Sequence, residues 1–327
     1  MILDVTRHKF SEAIVTLLFF AVAFAIAAVV LLPETSAIVT GSEAPLAPNI
    51  NGFAADHPLL LPIILGVLYV YTVLRLSRST VRVGLYPNTT LAAIALCSVL
   101  LFGALASGDY AILCIGALLV AEAYGRLLYC FSPSLHVHHL FSAMVAFGAM
   151  PLVDTAFLPL AIIVPIVVVT FRATLRETAI TLFGLATPVF VYSYVMWLLG
   201  GDFVQGFVDV WGSLLAPSSL SLVEYLTLPR LVFLGFILFL QLLSVVLYIS
   251  TPMSLTNGVR EVWRVLIISV VVLIASLLLL PAASPSLIVA MVLLAAIMLP
   301  ILMQYASALN SVLAYLLLLL LSFIPLI

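Results

Sequence analysis

Long apolar runs, separated by short polar stretches, constrain this chain more than any other feature. Of its 327 residues, 65% are hydrophobic and only 7% are charged. An average soluble domain is about 25% charged, and a helix that crosses a bilayer needs about 20 apolar residues. The composition therefore predicts an integral membrane protein. It excludes a soluble enzyme, a disulfide scaffold, a disordered chain and a protein with a nucleic-acid partner.

The runs predict an all-α fold, a polytopic transmembrane helix bundle that forms a single integral membrane domain over residues 1–327. We expect about eleven crossing helices, within a range of nine to eleven. The first run follows Arg7 and Lys9 and is longer than the apolar region of a signal peptide, so we interpret it as a retained helix. The crossings are expected near 10–32, 58–74, 88–106, 110–130, 138–152, 157–171, 178–199, 231–249, 265–281, 286–303 and 310–327.

The charged residues predict the orientation of this bundle, because cytoplasmic loops are enriched in Lys and Arg. With the N-terminus in the cytoplasm, ten of the 11 Lys and Arg residues fall on the inner side, and only Arg230 falls outside. Eight acids, including Asp56 and Asp154, fall on the outer side. No charge follows Arg264, so the side of the C-terminus is only weakly indicated.

Two predicted outer loops are long. Residues 33–57 are rich in Pro, Gly, Ser and Asn, which indicates a surface loop. Residues 200–230 differ, because Phe203, Phe207 and Trp211 recur at helical spacing with polar residues between them. This pattern predicts an amphipathic helix in the plane of the membrane interface.

Glu122 and Arg126 lie four positions apart inside one predicted crossing, so both fall on one helix face. A lone charge at the bilayer centre is costly, and Glu122 is therefore expected to face the bundle or a wet cavity. Two interpretations stay open here. In the first, the residues act in a proton relay or contact a lipid headgroup. In the second, they form a structural ion pair with no net charge near the cytoplasmic edge.

Two further groups complete a candidate polar cluster at the inner face. His136 and His139 share a helix face beside His138, but five histidines in the chain are too few for the separated histidine boxes of membrane di-iron enzymes. Contacts in an interfacial loop, or with a phosphate, are the alternatives for them. Arg172 and Arg176 fall one turn apart if the helix continues. With Glu177 they either bind a phosphate or only fix the cytoplasmic side of this loop.

At the outer face, Asp56 is a candidate acid in front of the second predicted helix. Some membrane glycosyltransferases use acids in their first outer loop, but this loop has no paired acidic motif. The three cysteines form no C-x-x-C pair, and phosphate-loop, dinucleotide and zinc-protease motifs are missing. We therefore expect neither a metal nor another cofactor.

The stretch from about Leu85 to Val195 resembles an uncharacterised family of polytopic inner-membrane proteins of Bacteroidota-type bacteria. The shared layout is a short helix that opens with Leu-Phe, a helix pair, an Arg-x(3)-Arg-Glu turn at residues 172–177, and a helix with Gly184 and Pro188. The resemblance implies a bacterial cytoplasmic membrane and a part in envelope biogenesis. It implies no catalytic residues.

Three classes of function remain. The first is a non-catalytic component of a cell-envelope pathway with membrane-protein partners, which the scarcity of polar groups favours. The second handles polyprenyl-linked sugars as a flippase, polymerase or transferase, using Glu122, Arg126, Arg172 and Arg176, or Asp56. The third is a secondary transporter, which the lack of an internal repeat disfavours. Membrane lipid is a partner in all three.

Overall fold

A computed structural model describes residues 10–35, 44–86, 92–105, 110–131, 137–172, 174–215, 227–250, 257–279, 284–306 and 308–323. Within these ranges the chain is all helical and has no strand. A short 3-10 helix at Thr155–Phe157 joins α6 to α7. The α-helices are α1 Phe10–Thr35, α2 Ala47–Asp56, α3 Leu61–Val83, α4 Ala92–Leu105, α5 Tyr110–Cys130, α6 Val137–Val153, α7 Leu158–Arg172, α8 Leu175–Leu198, α9 Phe203–Leu215, α10 Leu228–Ser250, α11 Asn257–Leu279, α12 Pro285–Tyr305 and α13 Ala308–Phe323.

The predicted all-α, membrane-type bundle is confirmed. Among the described residues, 6 helices are long and apolar enough to cross a membrane: α3, α5, α8, α10, α11 and α12. Shorter apolar helices occupy the five other segments in which a crossing is predicted. The number of crossings and the side of the N-terminus stay predictions, because length and composition alone do not fix them.

Two helices form the centre of the bundle. Every residue of α4 is buried, and α12 is buried along almost its whole length. The two helices pack against each other, and α12 also contacts α5, α10 and α11. The side chains of both helices are almost all apolar, so the interior is a packed hydrocarbon core of the kind that dispersion contacts stabilise.

Helix α3 continues nine residues beyond the predicted end at 74. A predicted end at 74 leaves Arg75, Arg78 and Arg82 in a loop, but arginine is a good helix former whose long stem can reach water from inside a helix. The helix ends at Gly84, whose φ of 63° is left-handed. The Leu85 N–H donates to the Thr80 carbonyl over 3.3 Å, which completes a Schellman motif.

The segment expected to be an outer loop at 33–57 is partly helical. Helix α1 extends to Thr35, and Ala47–Asp56 forms α2. Residues 36–43 lie outside the described ranges. The Leu46 N–H donates to the Leu152 carbonyl over 3.0 Å, and Ala44 and Ala47 pack on Ile112 and Val153. This small apolar cluster holds the segment against the ends of α5 and α6.

Residues 203–215 form α9, which packs along α8. Gly206 permits the contact, because a Cβ there would lie 2.8 Å from the Ser193 Cα. Val208 and Trp211 remain exposed on the other face. The placement of α9 at a membrane interface stays a prediction, and residues 216–226 of this predicted loop lie outside the described ranges.

Candidate functional site

A polar cluster lies where α3 packs against α5. The Glu122 Oε1 atom accepts hydrogen bonds from the Tyr71 hydroxyl (2.7 Å) and from Arg75 Nε (2.9 Å). The other carboxylate oxygen, Oε2, accepts from Arg126 Nε over 2.6 Å. We call these residues, with Ser79, the Glu122 cluster. Its carboxylate is therefore held by two arginines and a tyrosine.

Helical spacing explains how α3 contributes three of these side chains. Tyr71, Arg75 and Ser79 lie four positions apart, so they form one stripe along the helix. Arg75 Nη1 donates to the Ser79 hydroxyl over 3.3 Å, which fixes the guanidinium plane. On α5, Gly125 lets the helices approach, because a Cβ there would lie 3.0 Å from Ser79 Oγ.

The cluster carries a net charge of +1, since Arg75 and Arg126 face one carboxylate. One of the two sequence interpretations was a neutral pair of Glu122 and Arg126. That interpretation leaves out Arg75, which also bonds to Glu122. Relative exposure of the side chains is 20% for Arg75, 34% for Arg126 and 15% for Glu122. Within the described residues Arg126 bonds only through Nε. Its two Nη groups and Nη2 of Arg75 are left for an external acceptor.

An apolar groove between α1 and α3 leads to this cluster. Its cavity volume is about 460 Å³. Small residues create it, because Gly66 of α3 faces Ala25 of α1 and a Cβ on Gly66 would touch only the Ala25 Cβ at 3.9 Å. Tyr71 lines the groove and also donates to Glu122. The α1–α3 groove is lined by Leu18, Ala21, Val22, Ala25, Pro62, Ile63, Gly66, Val67, Val70, Tyr71 and Leu74.

The predicted histidine group sits at the neighbouring ends of α5 and α6. His139 stacks on Tyr129, with ring centroids 5.1 Å apart, and its ring also lies 4.0 Å from that of His138. His136 lies outside the described residues. Tyr129 follows Arg126 by three positions on α5, so this aromatic group adjoins the Glu122 cluster toward the end of the helix.

The structure separates Arg172 and Arg176. The helix does not continue through them: α7 ends at Arg172, and α8 begins at Leu175 after Thr174 in an extended conformation. The assumed spacing of one helical turn is therefore wrong. Arg176 is exposed, and no hydrogen bond or ion pair joins it to Glu122 in the described part of the chain.

Glu177 has a structural position at the start of α8. The Thr174 hydroxyl accepts from the Glu177 N–H over 3.4 Å and donates to Glu177 Oε2 over 2.5 Å. Thr174 and Glu177 are the first and fourth residues of a T-x-x-E sequence, which is the spacing of a capping box. Their contacts thus stabilise the first turn of α8.

Asp56, the candidate acid at the outer face, is the last residue of α2 and is exposed. It makes no hydrogen bond or ion pair with another described residue. A carboxylate at a helix C-terminus faces the negative end of the helix dipole. No second acid lies next to it among the described residues, which leave out residues 36–43 of the same predicted loop, so a catalytic role for Asp56 stays a prediction.

Asp154, which the charge pattern places only among the outer acids, is a buried carboxyl group. It is 2% exposed and accepts hydrogen bonds from the hydroxyls of Ser284 and Ser286, at the start of α12. The Ala156 N–H donates to Asp154 Oδ1 over 3.0 Å. Burial raises the pKa of Asp154 above its ordinary value, and these hydrogen bonds oppose the rise.

The sequence did not reveal Arg75 as a site residue because the predicted second helix ends at residue 74, and it did not reveal Tyr71 because that residue lies inside an apolar run. The signal that could have found them is the Tyr-x(3)-Arg-x(3)-Ser spacing of residues 71–79. Asp154 was missed because its partners follow it by 130 and 132 positions. Across the described ranges, no three His, Cys, Asp or Glu side chains are grouped so that they could hold a metal ion.

No family model, curated protein or solved structure matches the chain. The resemblance over residues 85–195 thus stays a prediction. What the fold and the site define is a class: a multi-pass helical membrane protein with a packed apolar centre and a cationic cluster at the end of a lateral groove.

Proposed function

We propose that the protein is a component of the bacterial inner membrane that serves cell-envelope biogenesis by binding its partners, without catalysing a reaction. The observation that carries this proposal is the packed apolar centre formed by α4 and α12. A reaction or a transport cycle needs polar groups around a wet space, and such groups are expensive inside a membrane.

Six buried hydroxyls support the same proposal, because the hydrogen bonds that they donate stay inside their own helices. Each donates to a backbone carbonyl four residues earlier, at distances of 2.7–2.9 Å. This is the pattern of Ser and Thr side chains that are satisfied in a nonpolar environment. The residues concerned are Thr72, Ser79, Ser98, Ser244, Ser269 and Ser276.

Placement in the inner membrane and the envelope rests on the resemblance of residues 85–195. A broad apolar surface on α8 supports the expectation of a membrane-protein partner or a lipid shell. Only 22% of an apolar stretch of 18 residues in this helix is buried inside the protein. Phe183, Phe190 and Trp197 are exposed there.

Handling of polyprenyl-linked sugars is the second candidate. The observation that favours it is the α1–α3 groove, which opens sideways and ends at two arginines that could hold a phosphate. In that case Glu122 would serve the reaction or the transfer itself, and its charge would be essential.

A complementation experiment tests the proposal and separates the two candidates. Depletion of the protein should produce an envelope defect that the wild-type gene repairs. Glu122→Gln should repair it as well, because a non-catalytic component does not need this carboxylate once the chain has folded. The amount of folded protein, measured by size-exclusion chromatography in detergent, is the control for each strain.

Two results would contradict the proposal. A normal envelope after depletion would remove the envelope role. Loss of repair by Glu122→Gln, with folded protein at the wild-type level, would favour the handling of lipid-linked sugars. If Glu122→Gln and Arg126→Ala both lose folded protein, the pair is structural. Gly66→Leu, which fills the α1–α3 groove and leaves the Glu122 cluster in place, then becomes the test of the lipid-linked candidate.

A further inference from the structure

We propose that the α1–α3 groove and the Glu122 cluster together form a binding site for one anionic phospholipid. One acyl chain lies in the groove, and the headgroup phosphate accepts hydrogen bonds from Arg75 and Arg126. The inference does not depend on which candidate function is correct, because a structural component and a lipid-handling protein can both hold such a lipid.

The groove has the dimensions of a site for one acyl chain. Its α3 wall extends from Pro62 to Leu74, which is about 18 Å at the rise of an α-helix. One leaflet of a bilayer contributes about 15 Å of hydrocarbon, so a single phospholipid chain matches the groove whereas a polyprenyl chain would extend far beyond it. The buried side chains of Ala21 and Pro62 form its floor, while Val22, Ile63 and Val67 form exposed rims.

Tyr71 connects the two parts of the site. Its ring lines the groove and its hydroxyl donates to Glu122, so the apolar wall ends directly at the Glu122 cluster. Arg75 and Arg126 stand on either side of the carboxylate, each with its Nε toward Glu122. The carboxylate therefore fixes both guanidinium groups and leaves Nη groups for a phosphate, which arginine binds well.

Charge selects an anionic headgroup over a zwitterionic one. The cluster carries +1, and the exposed Arg78 and Arg82 follow on the same helix, toward the end that Gly84 caps. Basic residues close to a membrane surface attract anionic lipids. A phosphatidylglycerol headgroup carries −1 and complements this region, whereas phosphatidylethanolamine carries no net charge.

Native mass spectrometry of the full chain in detergent tests the inference, with phosphatidylglycerol and phosphatidylethanolamine of identical acyl chains as probes. We expect one phosphatidylglycerol to be retained about tenfold more tightly, because both lipids offer a phosphate but the ammonium group of phosphatidylethanolamine is repelled by the positive cluster. Arg126→Gln should remove this preference. Gly66→Leu, which fills the groove and leaves the arginines in place, should weaken binding of both lipids at this site.

Matched controls separate this site from general lipid adhesion. Arg264→Gln removes an exposed arginine of α11 that pairs with Glu261, and it should leave the preference unchanged. Leu242→Phe enlarges an exposed apolar side chain of α10, and it should leave binding unchanged. Equal retention of the two lipids, or an equal effect of Arg264→Gln and Arg126→Gln, would overturn the inference.

A second measurement needs no variant. Phosphatidylglycerol with a photoreactive group in its acyl chain should label the wild-type protein at residues 18–25 and 62–74. Labelling spread evenly over the exposed faces, including α10, would overturn the site. Displacement of the lipid by glycerol phosphate alone would also overturn the site. Stronger retention of polyprenyl phosphate would overturn it as well, and would support the second candidate function. These binding results do not depend on the envelope phenotype, so either proposal can fail alone.

Discussion

Asp154 connects parts of the chain that are far apart in sequence. Its carboxyl group receives two serine hydroxyls from the start of α12 and an N–H from the 3-10 helix before α7. Ser284 is also the N-terminal cap of α12, where it accepts from the Ser286 N–H over 3.3 Å. A negative group at this position is favoured by the helix dipole but opposed by burial.

The raised pKa of Asp154 predicts a pH-dependent stability. The folded chain retains this proton at pH values where the unfolded chain, with a pKa near 3.8, has released it. The contribution to stability is therefore complete below that value and is lost as pH rises through the folded-state pKa. Asp154→Asn cannot titrate, so its melting temperature in detergent should fall less than that of the wild type between about pH 4 and neutrality.

The exposed acid Asp56 provides the control for this experiment. Asp56→Asn should keep the pH dependence of the wild type, because that side chain is exposed at the end of α2. Identical pH dependence in the wild type and Asp154→Asn would show that the buried carboxyl group does not couple protonation to folding.

At the scale of elements, glycines set the crossing of α6 and α8. A Cβ on Gly148 would lie 2.4 Å from the Leu185 carbonyl oxygen, and one on Gly184 would lie 2.6 Å from the Met144 Cβ. Close backbone approach at small residues is a general means of helix association in membranes. Gly184 of the Gly-x(3)-Pro motif thus serves helix packing.

Gly148→Ala should destabilise this crossing, since the added methyl group meets a backbone atom that cannot rotate away. We expect a loss of about 1–3 kcal/mol, the cost of overpacking a close contact. Thermal unfolding in detergent measures it. Gly235→Ala is the matched control, because a Cβ there meets nothing within 4 Å and should stabilise α10 slightly. Equal melting temperatures for the two variants would refute the close approach.

The sequence predicts these elements better than their contacts. The apolar runs in the sequence locate α6 and α8. They do so because a helix needs apolar side chains whether it faces lipid or the protein interior. The end of α3 is misplaced, because the charges of Arg75 and Arg78 indicate a loop even though their stems suit a helix. The partners of Glu122 on α3 could not be predicted, since no periodicity states which helices pack together.

At the scale of the whole molecule, the predicted orientation in the membrane still rests on the separation of basic from acidic residues. Arg75, Arg78 and Arg82 lie in the last three turns of α3, and Arg126 lies near the end of α5. Because α3 and α5 carry these arginines at comparable positions and contact each other through Glu122, the basic ends of the two helices lie together. By the positive-inside rule, this grouping of arginines predicts that these helix ends lie at the cytoplasmic face.

Reporter fusions test that orientation. A fluorescent reporter fused after Arg176 should fluoresce in the cytoplasm, and a phosphatase fused after Asp202 should be active outside it. The reason is that Arg172 ends α7 and Arg176 lies in the first turn of α8, whereas Asp202 follows α8. A phosphatase active after Arg176, or inactive after Asp202 in a stable fusion, would reverse the assigned sides.

The burial of α4 has a consequence for how the protein is made. Its main partner α12 begins at Pro285, 180 positions after α4 ends at Leu105. During translation, α4 therefore leaves the ribosome when its neighbours α1 and α3 exist but α12 does not, and a 14-residue helix is too short to span the bilayer by itself. The N-terminal half reaches its native packing only when the last quarter has been synthesised, so C-terminal truncation should expose the whole chain to membrane quality control.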